Sequence, residues 1–145
     1  MNKERMDELF LKACKGIIKQ GKQSTNGNGT CMYRGEGKLK CAIGHMIPDK
    51  MYTNDMEFNN FSKLCNADYF WVNDDFAKHF GYDSQKEMEK YVYKNASSGH
   101  VFGALQNIHD EIPCDENYVK EFKRNAAALA RRFRLKESAE YLKSV

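Results

Sequence analysis

Apolar residues recur at three- and four-residue intervals through most of this chain, and that period commits it to helices. Over the first twenty residues the pattern is Met6, Leu9, Phe10, Ala13, Cys14, Ile17 and Ile18, the buried stripe of an amphipathic helix. Gly21 supplies a stop, so a helix is predicted over 3–20. Val101, Phe102, Leu105, Ile108 and Ile112 mark another helix, closed by Pro113. Asp115 is expected to cap a long helix carrying Tyr118, Phe122, Ala126, Leu129, Ala130 and Phe133, followed by a last turn or two around 139–142. The aromatic middle, from Phe58 through Tyr69, Trp71, Phe76 and Phe80, reads as short core helices broken by Asn-rich turns. Gly81 looks like a stop there. Ser84 with Glu87 forms a capping box that opens a helix through Tyr93, and a loop is expected at 95–99.

Two stretches break the helical period. Residues 21–30 (GKQSTNGNGT) form a connector without periodicity, long for a small domain and of a kind that is often functional. In 31–44, two short apolar runs flank Gly35-Glu36-Gly37-Lys38, whose glycines permit a tight turn. The reading is a β-hairpin packed on helices, since an isolated hairpin is marginal in water. Pro48-Asp49 fits the first turn of a new helix. The expected fold is therefore mainly α: one compact helical domain over 1–145, with helix 3–20, loop 21–30, one small two-stranded β-hairpin at about 31–44, and helices from 48 to the C-terminus.

Composition narrows the class. Nine Phe, eight Tyr and one Trp in 145 residues supply enough core to exclude general disorder. No apolar run approaches the roughly 20 residues of a membrane span. The first residues mix charges of both signs, so no secretory leader is expected, and the location expected is cytoplasmic. Cys14, Cys31, Cys41, Cys65 and Cys114 are odd in number and widely spaced, which favours free thiols. Net charge is +3, with basic ends flanking an acidic middle. Such polarity suits either steering of a charged partner or packing of the segments on one another.

The stretch Cys31-x-Tyr33-Arg34-Gly35, then Lys40-Cys41-Ala42-Ile43-Gly44, then Ile47-Pro48-Asp49 and Tyr52, together with Leu105-Gln106-x-Ile108-His109-Asp110, resembles small uncharacterised bacterial and phage proteins. The resemblance implies a bacterial or phage origin, with the host cytoplasm as its place if phage-encoded. It also implies an accessory role, such as countering a host defence.

Several chemistries compete for these residues. Cys31, Cys41, His45 and His109 offer soft ligands for zinc, but nine residues separate the two cysteines, wide of the usual close pair. No metal or other cofactor is expected, and the cysteines are read as packing residues. Cys41, His109 and Asp110 have the types for thiol catalysis, but neighbours on a helix point about 100° apart, which makes Asp110 a poor orienter of His109. Arg34, Lys38 and Lys40 beside Gly35 and Gly37 suit a phosphate, and Tyr33 with Arg34 suits stacking on a base. The basic C-terminal helix, with Arg124 and Arg131 on one face, suits nucleic acid, although a solvated face is the preferred reading.

The favoured function is a non-catalytic binding module. Its ligand-binding set is Tyr33, Arg34, Gly35, Lys40, His45 and His109. A phosphate-bearing small molecule is the preferred partner and a host protein the second. Nucleic acid is possible but not favoured, no membrane partner is expected, and a small Cys/His or metal-dependent enzyme is the competing class. Arg34 and Lys40 are expected to serve binding rather than folding; the rival reading makes Arg34 a buried strut paired with an acid such as Asp49 or Asp110.

Overall fold

A computed structural model describes the chain except at residues 27 and 95–98, so the loop expected at 95–99 falls largely outside the described residues. Helix α1 (Lys3–Gln20) begins where the Asn2 side chain accepts from the Arg5 N–H, and it ends at Gly21, whose N–H returns to Ile17. Its stripe of Met6, Leu9, Phe10, Ala13, Cys14 and Ile17 is buried. The other helices are α2 (Ala42–Met46), α3 (Phe61–Leu64), α4 (Asp74–His79), α5 (Gln85–Lys94), α6 (Val101–Glu111), α7 (Tyr118–Arg132) and α8 (Lys136–Ser144). The mainly helical expectation holds. Among the described residues no helix is long and apolar enough to cross a membrane.

Helices α1, α2, α6 and α7 pack in a ring, each against the next; α8 covers α1 and α7, and α3 leans on α6. Phe61, Phe76, Phe80 and Phe102 meet edge to face or tilted, tying α3, α4 and α6 together, geometries that aromatic quadrupoles favour. The capping box is formed: the Glu87 N–H donates to Ser84 Oγ at 3.1 Å. Asp115 departs from expectation. Its carboxylate takes the Asn117 N–H in the turn before α7 rather than capping that helix.

The expected hairpin at 31–44 is not there. Among the described residues no strand forms; Arg34 and Lys40 make one isolated antiparallel bridge, and Thr25 and Cys31 another. Glu36–Lys38 closes the tip as a 3-10 turn. The second run becomes helical at Ala42 because its N–H groups find side-chain acceptors: Cys41 Sγ takes Gly44 N–H at 3.3 Å, and Gln106 Oε1 takes Ile43 N–H at 3.0 Å. With those donors committed to a helix start, a ladder cannot extend past Lys40. Pro48 likewise lies in a turn after α2, its carbonyl accepting from Met51 and Tyr52.

Two glycines set the approach of α2. A Cβ on Gly44 would stand 2.1 Å from the Tyr33 carbonyl oxygen, and one on Gly16 would stand 2.4 Å from His45 Nδ1. Both contacts require a missing side chain.

Helix α8 is capped from far away in sequence. Leu135 at its N-cap provides no side-chain acceptor. Buried Asp7 of α1 supplies it instead, taking Glu137 N–H at 2.9 Å and Ser138 N–H at 3.0 Å, with Ser138 Oγ also donating to it. Asp7→Ala leaves the buried Ser138 N–H without its acceptor and uncaps the start of α8, and should lower unfolding stability by about 1–2 kcal/mol in a denaturant titration. An unchanged midpoint would show that α8 does not depend on this cap.

Candidate functional site

The chemistry gathers at the C-terminal end of α6. Its last carbonyls have no intrahelical partner, and Gln23 Nε2 covers those of His109, Asp110 and Ile112 at 3.0, 3.0 and 2.8 Å. The Tyr118 hydroxyl donates to the His109 carbonyl at 3.1 Å as well. The helix end is thereby docked on the 21–30 connector.

His109 is fully buried. Its Nε2 receives the Ser24 N–H at 3.3 Å, so the ring proton sits on Nδ1, which donates to Asp110 Oδ1 at 2.7 Å. Gln106 Nε2 donates to the same oxygen at 2.7 Å. The expectation that Asp110 would be a poor orienter is therefore corrected. The Gln106 amide, one turn back, draws the short carboxylate over the ring, overriding the angular separation of the backbone positions.

Cys31 completes the group. Its sulfur, one ring nitrogen of His109 and an Asp110 oxygen all lie within 4.8 Å of one another. Burial, and then the negative charge of Asp110, push the Cys31 thiol up to about 12, so it is a protonated thiol at neutral pH. Both imidazole nitrogens are occupied, leaving none to take the thiol proton.

A cavity of about 310 Å³ opens over this group, lined by Cys31, Tyr33, Cys41, Glu57, Phe58, Asn59, Asn60, Asn107 and Asp110, among others. It falls at the small end of ligand sites. Among the described residues its lining holds two carboxylates, several amides and no lysine or arginine. Glu57 is buried and already engaged. It takes Tyr33 N–H at 2.8 Å, Arg34 N–H at 3.1 Å and the Tyr52 hydroxyl. Asp110 keeps about a third of its side chain exposed. At the rim Phe58 is 69% exposed with φ of 63°, a backbone state that bulky residues rarely hold and that concentrates at binding sites.

The residues expected to bind ligand separate into three places. Tyr33 and His109 belong to this cavity, Tyr33 on its wall with its hydroxyl on the Asn59 carbonyl, and His109 behind Asp110. Arg34, Gly35 and Lys40 line a different cleft of about 430 Å³ with Lys38, Leu39 and Asp49. His45 is apart from both, packed on Gly16, with Nε2 donating to Gln20 Oε1 at 3.0 Å. Of the four soft ligands considered for zinc, Cys31 and His109 come together. Cys41 is fully buried as the cap of α2.

Arg34 is a strut. It donates to Asp49 at 2.6 Å and to the Ile47 carbonyl at 3.0 Å, and its guanidinium lies 4.3 Å over the Tyr52 ring. Glu57, Gln106 and Asn59 were missed as site residues; a single Glu between Met and Phe and an Asn-Asn pair carry no motif. The one available signal was Gln106 within the Leu-Gln-x-Ile-His-Asp run. No family model matches the chain, and no curated protein or solved structure matches it.

Two predictions follow from these contacts. Arg34→Ala should lower the melting temperature by several degrees, and Arg34→Lys should restore only part, since lysine lacks the planar fork that bonds and stacks at once. An unchanged melt in both would remove the strut and return Arg34 to binding.

The second concerns pH. Burial holds His45 down to about 4, with Lys40 adding to the effect, and burial holds His100 down to about 3. An unfolded histidine titrates near 6.5. Both rings are neutral in the fold, so their contribution is full above about 6.5 and is lost as pH falls toward 4. The melting temperature should decline from pH 6.5 to 5, where most carboxylates remain ionised. His45→Gln should flatten that slope; an identical slope in the variant would refute it.

Proposed function

We propose that the protein is a small-ligand-binding module whose ligand places a cationic, donor-rich group against Asp110. One observation carries this reading: a cavity of about 310 Å³ that holds two carboxylates and amide side chains but no basic residue. A phosphate entering it would meet like charge. A protonated amine or guanidinium would meet an acceptor already held in place by His109 and Gln106. The non-catalytic part of the reading is supported by the protonated Cys31 thiol and the committed imidazole. A bacterial or phage accessory role fits this reading, and rests on the resemblance of the two motif segments alone.

A second reading keeps the phosphate-bearing ligand and moves it. The cleft of Arg34, Gly35, Lys38 and Lys40 gathers three cations around one acid, Asp49. Arg34 is already spent on Asp49 and Ile47, so phosphate there would depend on the two lysines.

NMR titration separates the two. An alkylguanidine should shift the amides of Cys31, Asn60 and Asn107, and Asp110→Asn should weaken it by about ten- to a hundredfold, the worth of one charge-assisted hydrogen bond. Pyrophosphate shifting only Lys38 and Lys40, with no alkylguanidine response, would overturn the first reading in favour of the second.

A further inference from the structure

We propose that the cation taken at this site is a thiophilic divalent metal ion, zinc foremost, bound by Cys31 Sγ, His109 Nδ1 and an Asp110 oxygen, with a fourth position open to the cavity. The proposal deepens the cation reading and rests on it.

Three donor atoms of different kinds, sulfur, nitrogen and oxygen, already lie within 4.8 Å of one another. Tetrahedral zinc, with bonds of about 2.0–2.3 Å, places its ligands roughly 3.3–3.8 Å apart. The group therefore needs movements of about an ångström, opening the 2.7 Å imidazole–carboxylate contact and drawing in the sulfur. A thiolate and an imidazole select zinc over calcium or magnesium, which prefer all-oxygen shells. Three protein ligands with an open fourth position is the pattern of a site that takes an exogenous ligand, and here Cys31 and Asp110 both line the cavity.

Ser24 supplies the second, independent observation. For Nδ1 to bind metal, its proton must move to Nε2, the nitrogen that now faces Ser24. That face needs an acceptor, whereas the Ser24 N–H is a donor. The Ser24 side chain is fully buried, its hydroxyl oxygen lies against Gly35, and among the described residues that oxygen has no hydrogen-bond partner. A buried orphan hydroxyl is unfavourable, and this one belongs to the residue whose backbone already touches Nε2. In the metal-bound state the Ser24 side chain turns from Gly35 to accept Nε2–H, the outer-shell bond that metal-ligating histidines regularly make. Gln106 continues to hold the carboxylate.

The proton balance is simple. The thiol gives up its proton to solvent as the Cys31–metal bond forms, and the ring proton shifts from Nδ1 to Nε2. One proton is released for each ion bound. The donor set differs from the four soft ligands that the sequence offered: Asp110 enters, while Cys41 and His45 stay in their structural contacts.

The test is titration of the reduced full-length chain with zinc against a chromophoric chelator, and with cobalt(II) to read the thiolate-to-metal charge-transfer band. One ion per chain is expected, with the cobalt band present and one proton released in weak buffer. Cys31→Ser should abolish the band. Asp110→Asn and Ser24→Ala should each weaken zinc by about ten- to a hundredfold. Cys114→Ser, which removes an exposed thiol outside the three-residue cluster, should leave zinc binding and the cobalt band in place. Metal-free melts of each variant show that it is folded. Absence of stoichiometric zinc in wild type, or zinc retained by Cys31→Ser, overturns the assignment. Alkylguanidine binding at Asp110 without zinc uptake overturns the metal alone, and no response to either probe overturns the cation reading with it.

Discussion

The connector and loop from Gln20 to Cys41 cross the face of a helical protein without a sheet to complete their hydrogen bonds, and the rest of the site follows from how they are completed. A buried backbone N–H or C=O left unpaired is costly. Some groups pair within the segment, as Met32 N–H does with the Ser24 carbonyl and Glu36 N–H with that of Thr25; the others take side chains from distant elements. Gln20 brackets Lys40, accepting from its N–H and donating to its carbonyl. Glu57 takes the N–H groups of Tyr33 and Arg34. His109 takes that of Ser24. A three-stranded sheet would have done the same work with backbone alone, and would have left these side chains free.

That arrangement divides charge across one short segment. In extended backbone, neighbours face opposite ways. Tyr33 accordingly faces the acid- and amide-lined cavity, while Arg34 turns toward Asp49 and the lysine-lined cleft. The acidic character of one side and the basic character of the other are thus two faces of one strand-like run, held by Glu57 between them. Most of the polar groups around the cavity are hydrogen-bonded before any ligand arrives, which reduces the ordering cost of binding.

Where an element was long and periodic, the sequence made it legible. Helix α1 was readable to its end because the stripe from Met6 to Ile17 and the Gly21 stop agree, and α6 because Pro113 closes a clear apolar stripe. The run Leu39–Ile43 was not, since four apolar residues and a lysine fit a strand or a helix equally. The decision is made by Gln106, sixty-three residues away, and no local pattern contains it. The same holds for Asp7 over α8 and Glu57 under the loop. The site was half legible: Cys31, Tyr33 and His109 stood out by type. Asp110 reads from the sequence as a poor orienter or an Arg34 partner, not as a site residue, because backbone angles hide the pull of a neighbouring amide.

Asp110 is the residue where stability and function part. It lies with Glu111 in the last turn of α6, where the helix dipole is negative and a carboxylate is unfavourable. Two donors, from His109 and Gln106, offset part of that repulsion but leave about a third of the side chain exposed. A protein selected for stability alone would place lysine or arginine in that turn. Retaining an acid there, braced by a buried histidine and opened to a cavity with no basic residue, makes sense when a cation arrives from outside. Such a cation supplies the charge that the helix end itself lacks.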